Sequence, residues 1–272
     1  WAVNPQHAVS AGIGIYRQSQ PLLLYFGAPG NEDLDFTQSV HYVAGYTFAP
    51  SQDIRFKVEA YYKQLSHAPV ERDSGTSFSF LNTGADFGSV GNGLALTSAG
   101  KGRTYGAELS LFKHFTDGYY ITATASLVRQ EYTGSDGVWH FGAFDNQYIA
   151  NFLAGYEWKL SSGFSIEFSG KYTVAGGAPY TPVDLDKSRQ YKSTYYDRDR
   201  PFSMRNPAYS RLDGRIDFRK NFQSWSFIAF VSVENILDRK NIQERFYNVQ
   251  RDSIREVYQL GMFPIGGLKV EF

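Results

Sequence analysis

The 272-residue sequence predicts an all-β fold: an antiparallel transmembrane β-barrel with about ten strands in this chain. Three observations predict it. Apolar and polar residues alternate with period two through long segments. The connections between those segments alternate strictly between tight turns and long loops. Aromatic residues make up 17% of the chain and gather near segment ends, where an interfacial girdle sits. No linker or low-complexity stretch divides the sequence, so residues 1–272 are read as part of one barrel domain.

In chain order the strands are expected near 8–18, 41–49, 54–65, 103–115, 119–130, 148–160, 164–175, 209–222, 225–237 and 257–272. In the third, Ile54, Phe56, Val58 and Ala60 share one face, and Arg55, Lys57, Glu59 and Tyr61 share the other. In the seventh, Phe164, Ile166, Phe168, Tyr172 and Val174 oppose Ser165, Glu167, Ser169, Lys171 and Thr173. In the eighth, Leu212, Ile216 and Phe218 oppose Arg211, Asp213, Arg215, Asp217 and Arg219. A helix would scatter these apolar residues around its circumference, whereas a strand collects them on one side. Most segments are at least as long as the ~9–11 residues that a tilted membrane strand requires. The last carries Pro264, which lacks an N–H, so a bulge or weakened pairing is expected there.

Tight turns are expected at 50–53, 116–118, 161–163 and 223–224, and long connections at 19–40, 66–102, 131–147, 176–208 and 238–256. Soluble sandwiches rarely sort their loops this way. A membrane barrel does, with short periplasmic turns and long outer loops.

Composition narrows the function. Lys plus Arg and Asp plus Glu both number 27, so no net charge favours nucleic acid, and no basic stripe occurs. Cysteine is absent, which removes disulfides, thiolate metal sites and a cysteine nucleophile. Mean hydropathy is −0.37, and no run approaches the ~18 apolar residues of a membrane helix. In a barrel, polar lumen positions cancel apolar lipid-facing ones. Trp1 is not preceded by a leader-like segment, so the sequence is expected to be the later part of a longer chain.

The polar residues do not select a catalytic constellation. The five histidines (His7, His41, His67, His114 and His140) lack the spacing of a metal pair. Residues 100–102 (GKG) precede a strand rather than a helix, so they do not form a phosphate cradle. The acidic stretches 31–35 and 184–186 are read as solvated loop charge rather than a calcium loop. Lumen-side carboxylates such as Glu59, Glu108 and Asp213 are not spaced as an acid–base pair. No enzyme activity and no cofactor are expected. The candidate ligand-binding residues are loop aromatics: Tyr25, Phe26, Trp139, Phe141, Tyr180, Tyr195 and Tyr196, with Phe87 among further loop aromatics. Aromatic loops on a rigid scaffold suit a ligand-capturing mouth. They also suit loops that pack on one another.

Several segments resemble one family: 105–115 (YGAELSLFKHF), 176–188 (GGAPYTPVDLDKS), 206–222 (NPAYSRLDGRIDFRKNF), 231–242 (VSVENILDRKNI) and 261–272 (GMFPIGGLKVEF). The sequence is similar to the C-terminal barrel portion of TonB-dependent outer-membrane receptors, in the branch with a carboxypeptidase-regulatory-like domain. The run beginning at Glu234 is the most specific match. The alternating final strand ending at Phe272 looks like the assembly signal of bacterial outer-membrane barrels. The resemblance implies a barrel of about 22 strands, with a plug domain in the full-length chain, contact with the TonB complex through an N-terminal part not present here, and outer-membrane lipid and a surface lipoprotein as neighbours. It implies uptake of a scarce nutrient such as an iron chelate, cobalamin, oligosaccharide or peptide. A passive porin-like or adhesion barrel is the alternative.

Overall fold

The period-two patterning produces one large antiparallel sheet. The computed structural model describes residues 1–72, 75–84 and 93–272; Phe87 lies outside the described residues. The strands are β1 (Ala2–Asn4), β2 (His7–Gln18), β3 (Thr37–Phe48), β4 (Ile54–Glu71), β5 (Leu96–Thr116), β6 (Tyr119–Thr133), β7 (Trp139–Phe141), β8 (Tyr148–Ser161) and β9 (Phe164–Ala175). They continue with β10 (Pro179–Tyr180), β11 (Met204–Arg205), β12 (Tyr209–Asn221), β13 (Ser226–Glu234), β14 (Ile242–Asn248), β15 (Ser253–Tyr258) and β16 (Phe263–Glu271). Two short helices, α1 (Leu22–Tyr25) and α2 (Leu185–Tyr191), lie in long connections. Among the described residues no helix is long and apolar enough to cross a membrane.

The main sheet runs β1-β2-β3-β4-β5-β6-β8-β9-β12-β13-β16, with β7 beside β6. Each predicted strand has a counterpart in this path. Among the described residues the sheet is open, since β16 has a neighbour on one side only. Its tight turns use the expected chemistry. Asp117 and Gly118 join β5 to β6 with φ 56° and 84°, the paired positive values of a type I′ hairpin that Asp-Gly favours.

Burial is inverted relative to a soluble sheet. Along β4, Phe56, Val58, Ala60 and Tyr62 are exposed, while Lys57, Glu59, Tyr61 and Lys63 are half-buried. Ile13 is 76% exposed and Leu127 64%. A sheet curled toward its polar side shelters that side and turns its oily side outward. Soluble proteins rarely leave so continuous an apolar surface in water, whereas hydrocarbon solvates it. Each Val, Leu, Ile or Phe removed from water there contributes about 1.5–3 kcal/mol. The conventional core lies elsewhere, in the loops. Leu24, Leu34, Phe80 and Leu96 form a buried cluster, fastened by Asn31. Its Nδ2 donates to the carbonyls of Leu24 and Leu94, and its Oδ1 accepts from the Leu96 N–H. Asn31 is thus a loop staple rather than an available cation ligand.

Three sequence expectations need correction. The last strand begins at Phe263, not near 257, because residues 253–258 pair with β14 in a separate hairpin. Pro264 produces no bulge: β13 and β16 stay in register from Ser226↔Glu271 to Glu234↔Phe263. On a strand with one neighbour, a missing N–H is tolerated. Residues 100–102 lie inside β5, which starts at Leu96 and, with β4, extends well past the predicted ends.

Candidate ligand-facing wall and loop cluster

The polar face carries ion pairs in two groups, one on β4 and one across β12, β13 and β16. In a strand, residues i and i+2 point the same way, and this wall uses that spacing repeatedly. Lys57 reaches Glu59 at 2.7 Å, Arg211 reaches Asp213 at 2.6 Å, Arg215 reaches Asp217 at 2.5 Å and Lys269 reaches Glu271 at 2.6 Å. Bridges between strands add Arg211–Glu234 at 3.0 Å and Arg219–Glu271 at 2.5 Å. Half-exposed pairs of this kind each contribute only ~0–1 kcal/mol. Their consequence is chemical rather than energetic: the wall offers donors and acceptors to a polar occupant.

Aromatic rings on the same face lie over glycines. Tyr120 covers Gly155, and its phenol donates to Glu167 at 3.1 Å. Tyr61 covers Gly106, and Phe230 covers Gly267. A Cβ at Gly155 would come within 2.4 Å of the Tyr120 ring. Gly155→Val should therefore expel the ring and lower barrel stability by about 1–3 kcal/mol. Denaturant unfolding of the reconstituted protein checks this, with Ala154→Val on the opposite, outward face as the control expected to change little.

The long connections knit together above this wall. Asp145 is fully buried. Its carboxylate accepts from the Gln130 N–H at 2.9 Å, from Arg129 at 3.2 Å and from Arg205. Asp184 caps α2 by accepting from the Lys187 N–H at 3.0 Å, so this acidic residue serves helix capping. From α2, Arg189 donates to Asp252 at 2.8 Å, and Tyr247 donates to the same carboxylate at 2.8 Å. These bonds, Arg189's first, hold the Asp252 carboxyl below its usual range.

The sequence-predicted aromatics fall into three places. Tyr25 packs beside the Leu24 cluster and accepts from the Gln20 N–H at 3.3 Å, while Phe26 is 83% exposed. Trp139 and Phe141 lie on β7 beside Thr133 and Glu131, on the outward face rather than toward the lumen. Tyr180, Tyr195 and Tyr196 come together around the α2 loop and the β14–β15 hairpin. Arg245 lies 4.2 Å from the Tyr180 ring centre, Tyr195 stacks on Tyr191 at 5.8 Å, and Tyr196 donates to the Arg245 carbonyl at 3.3 Å. Phe272 follows β16 and is fully exposed.

Sequence reasoning missed a cleft of about 200 Å³ beside the third group. Asn146, Asn206, Tyr209, Asn241 and Gln259 line it. It also left unexplained the run from Glu234 to Asn241. Glu234 pairs with Arg211. Asn235, 1% exposed and at φ 51°, bonds the backbone of Arg239 at both ends of its amide and the Leu260 carbonyl. Asp238 accepts from the Met262 N–H, and Asn241 bonds both backbone groups of Ser210. The run is a strand-exit clamp, and asparagine is the residue that tolerates left-handed backbone while satisfying local polar groups.

At the short-turn end, Lys113 is 2.8 Å from Asp53. That bond, with a second from Ser51, holds the Asp53 carboxyl at about 2. The folded value lies below the unfolded one, so the stabilisation is complete above about pH 4 and is lost as pH falls toward 2. Asp53→Asn should flatten the pH dependence of unfolding across that interval, as measured by acid titration of the reconstituted barrel.

Comparisons agree with this architecture. The ferric yersiniabactin uptake receptor FyuA from Yersinia pestis superposes with TM-score 0.61 at 16% identity, over 99% of this chain and 35% of that one. The ferripyoverdine receptor of Pseudomonas aeruginosa gives 0.65 at 13% identity, over 99% and 31%. The FrpB iron transporter from Neisseria meningitidis gives 0.64 at 13% identity, over 99% and 38%. The chain thus spans about a third of the solved structures that it matches. No curated protein sequence matches it. The family model for TonB dependent receptor-like β-barrels matches residues 1–236. The chain, an outer-membrane β-barrel segment, belongs to the TonB-dependent receptor-like β-barrel family.

Proposed function

We propose that this chain is the C-terminal wall and part of the outer loop cluster of a receptor that takes up a scarce nutrient through the outer membrane, energised by TonB. The observation that carries the reading is the ion-paired inner face. Its charges are balanced, its donors and acceptors are half-sheltered, and it suits contact with a folded plug supplied by the same full-length chain. The carboxypeptidase-regulatory-like branch remains part of this reading, on the sequence segments quoted above. Tyr180, Tyr195, Tyr196 and the carboxamide cleft form the candidate capture surface. Tyr25 and Phe26 form a second outer patch, open to a surface lipoprotein, and Phe272 is the assembly signal. The solute belongs to one of four classes: ferric chelate, cobalamin, oligosaccharide or peptide.

Uptake in cells carrying the full-length receptor, with and without functional TonB, tests the proposal. One solute class should enter only when both receptor and TonB are present. Entry of small solutes of every class regardless of TonB would instead identify a passive pore.

A further inference from the structure

β12 and β13 are joined by the tight turn at 222–225, and a short turn fixes the register of the strands it joins. β13 and β16 have no such turn. Residues 235–262 lie between them and include the β14–β15 hairpin. The two strands nevertheless hold one register throughout, from Ser226↔Glu271 to Glu234↔Phe263. Parity alone does not explain this. A slip of one residue would turn Leu268 and Val270 toward the polar side, and lipid on one face with water on the other resists it. A slip of two residues leaves every side chain on its own face.

Two features single out the observed register. The first is a socket. The Phe230 ring lies over Gly267, where a Cβ would come within 2.6 Å of it. A slip of two would put Ile265 or Lys269 there instead. The second is the run from Asn235 to Asn241. One side of it is fastened to β12. The Asn235 N–H donates to Asp213 at 2.8 Å, the Ile236 N–H donates to the Leu212 carbonyl at 2.7 Å, and the Asn241 carboxamide bonds both backbone groups of Ser210. The other side is fastened to the approach to β16. The Gln259 N–H donates to the Asn241 carbonyl at 2.8 Å, Asn235 Nδ2 to the Leu260 carbonyl at 3.1 Å, and the Met262 N–H to Asp238 Oδ1 at 3.0 Å. Met262 directly precedes β16. Ile242 pairs with Tyr258 at the base of the hairpin, so residues 242–258 leave and rejoin the chain at one place. Asn235 and Asp238 hold left-handed backbone, at φ 51° and 46°, and such geometry persists where its surroundings over-determine it.

We propose that residues 235–241 and 259–262 act together as a closed turn that sets the register of the β13–β16 pair, while the β14–β15 hairpin hangs from it and plays no part. Strand stagger and barrel diameter are linked, so the same bonds set the stagger at this edge of the sheet. The inference rests on the barrel architecture and is independent of which solute the receptor carries.

Disulfide trapping in the full-length receptor reads the register directly, in a background to which this chain contributes no native cysteine. Ala229→Cys/Leu268→Cys places two thiols directly opposite each other and should cross-link. Ala229→Cys/Gly266→Cys and Ala229→Cys/Val270→Cys lie on diagonals and should cross-link about tenfold less. Adding Asn235→Ala/Asp238→Ala should raise a diagonal cross-link about tenfold. Asp238→Asn, which keeps an oxygen for the Met262 N–H, should not. Replacing residues 242–258 with a Gly-Gly link should leave the wild-type pattern intact. A folded Asn235→Ala/Asp238→Ala variant that still cross-links only 229 to 268, or a hairpin replacement that shifts the pattern, overturns the proposal. Heat-dependent electrophoretic mobility reports barrel folding separately. Where the double variant does not fold, Asp238→Ala alone decides by the same criterion.

Discussion

Replacing Asn235 with Ala should destabilise the barrel by about 3–5 kcal/mol. The residue is 1% exposed and sits at φ 51°. Its amide donates to the Arg239 and Leu260 carbonyls at 3.0 and 3.1 Å and accepts from the Arg239 N–H at 3.0 Å. Alanine leaves three sheltered backbone groups without partners, at ~1–3 kcal/mol each before water reaches them. It also removes the local side-chain bonding that lets asparagine take left-handed backbone, a conformation that costs other Cβ-bearing residues roughly 1–2 kcal/mol. Asn235→Gly relieves only the second cost, so it should recover about 1 kcal/mol. Urea unfolding of the full-length receptor in vesicles measures both. A loss under about 1 kcal/mol for Asn235→Ala would show that the clamp does not hold the β13 exit.

The second large effect is local. Asp145→Asn should raise hydrogen exchange across residues 139–148 and 204–206 by about 100-fold while leaving the wall strands unchanged. Removing one partner of a buried ion pair costs up to ~3–5 kcal/mol. Arg129 and Arg205 retain 36% and 26% side-chain exposure and partly resolvate, so about 2–3 kcal/mol is the expected opening cost lost. Asp145 ties β6 to the loop that carries β11, and Arg205 continues the tie to the Gly177 carbonyl. Uniform exchange across both loops in wild type and variant would contradict this.

The wall was legible because period two survives on every strand and because loop lengths sort by membrane side. Parity alone separated Lys57, Glu59 and Asp213 from Phe56, Val58 and Leu212. What was not legible depends on pairing between distant segments. Ser253–Tyr258 alternates as convincingly as a wall strand, and only its partner Ile242–Asn248 shows it to be a loop hairpin. The ends of β4 and β5 were set too short because residues 66–71 and 96–102 are held by each other, through a bulge where His67 takes φ 58°. The loop aromatics were found by type, but their directions were not. Trp139 and Phe141 face outward because β7 pairs in register with β6, and a three-residue strand leaves too little periodicity to reveal it. The Asp145 latch joins residues 60 positions apart and gives no local signal at all.

The central claim is that lipid meets the apolar face of the sheet and water meets the polar one. Spin labels placed singly from residue 56 to residue 63, in a chain that contributes no native cysteine, measure it directly in bilayers. Labels replacing Phe56, Val58, Ala60 and Tyr62 should collide with oxygen, and those replacing Lys57, Glu59, Tyr61 and Lys63 with a water-soluble nickel chelate. The opposite phase, or no alternation, would contradict the account.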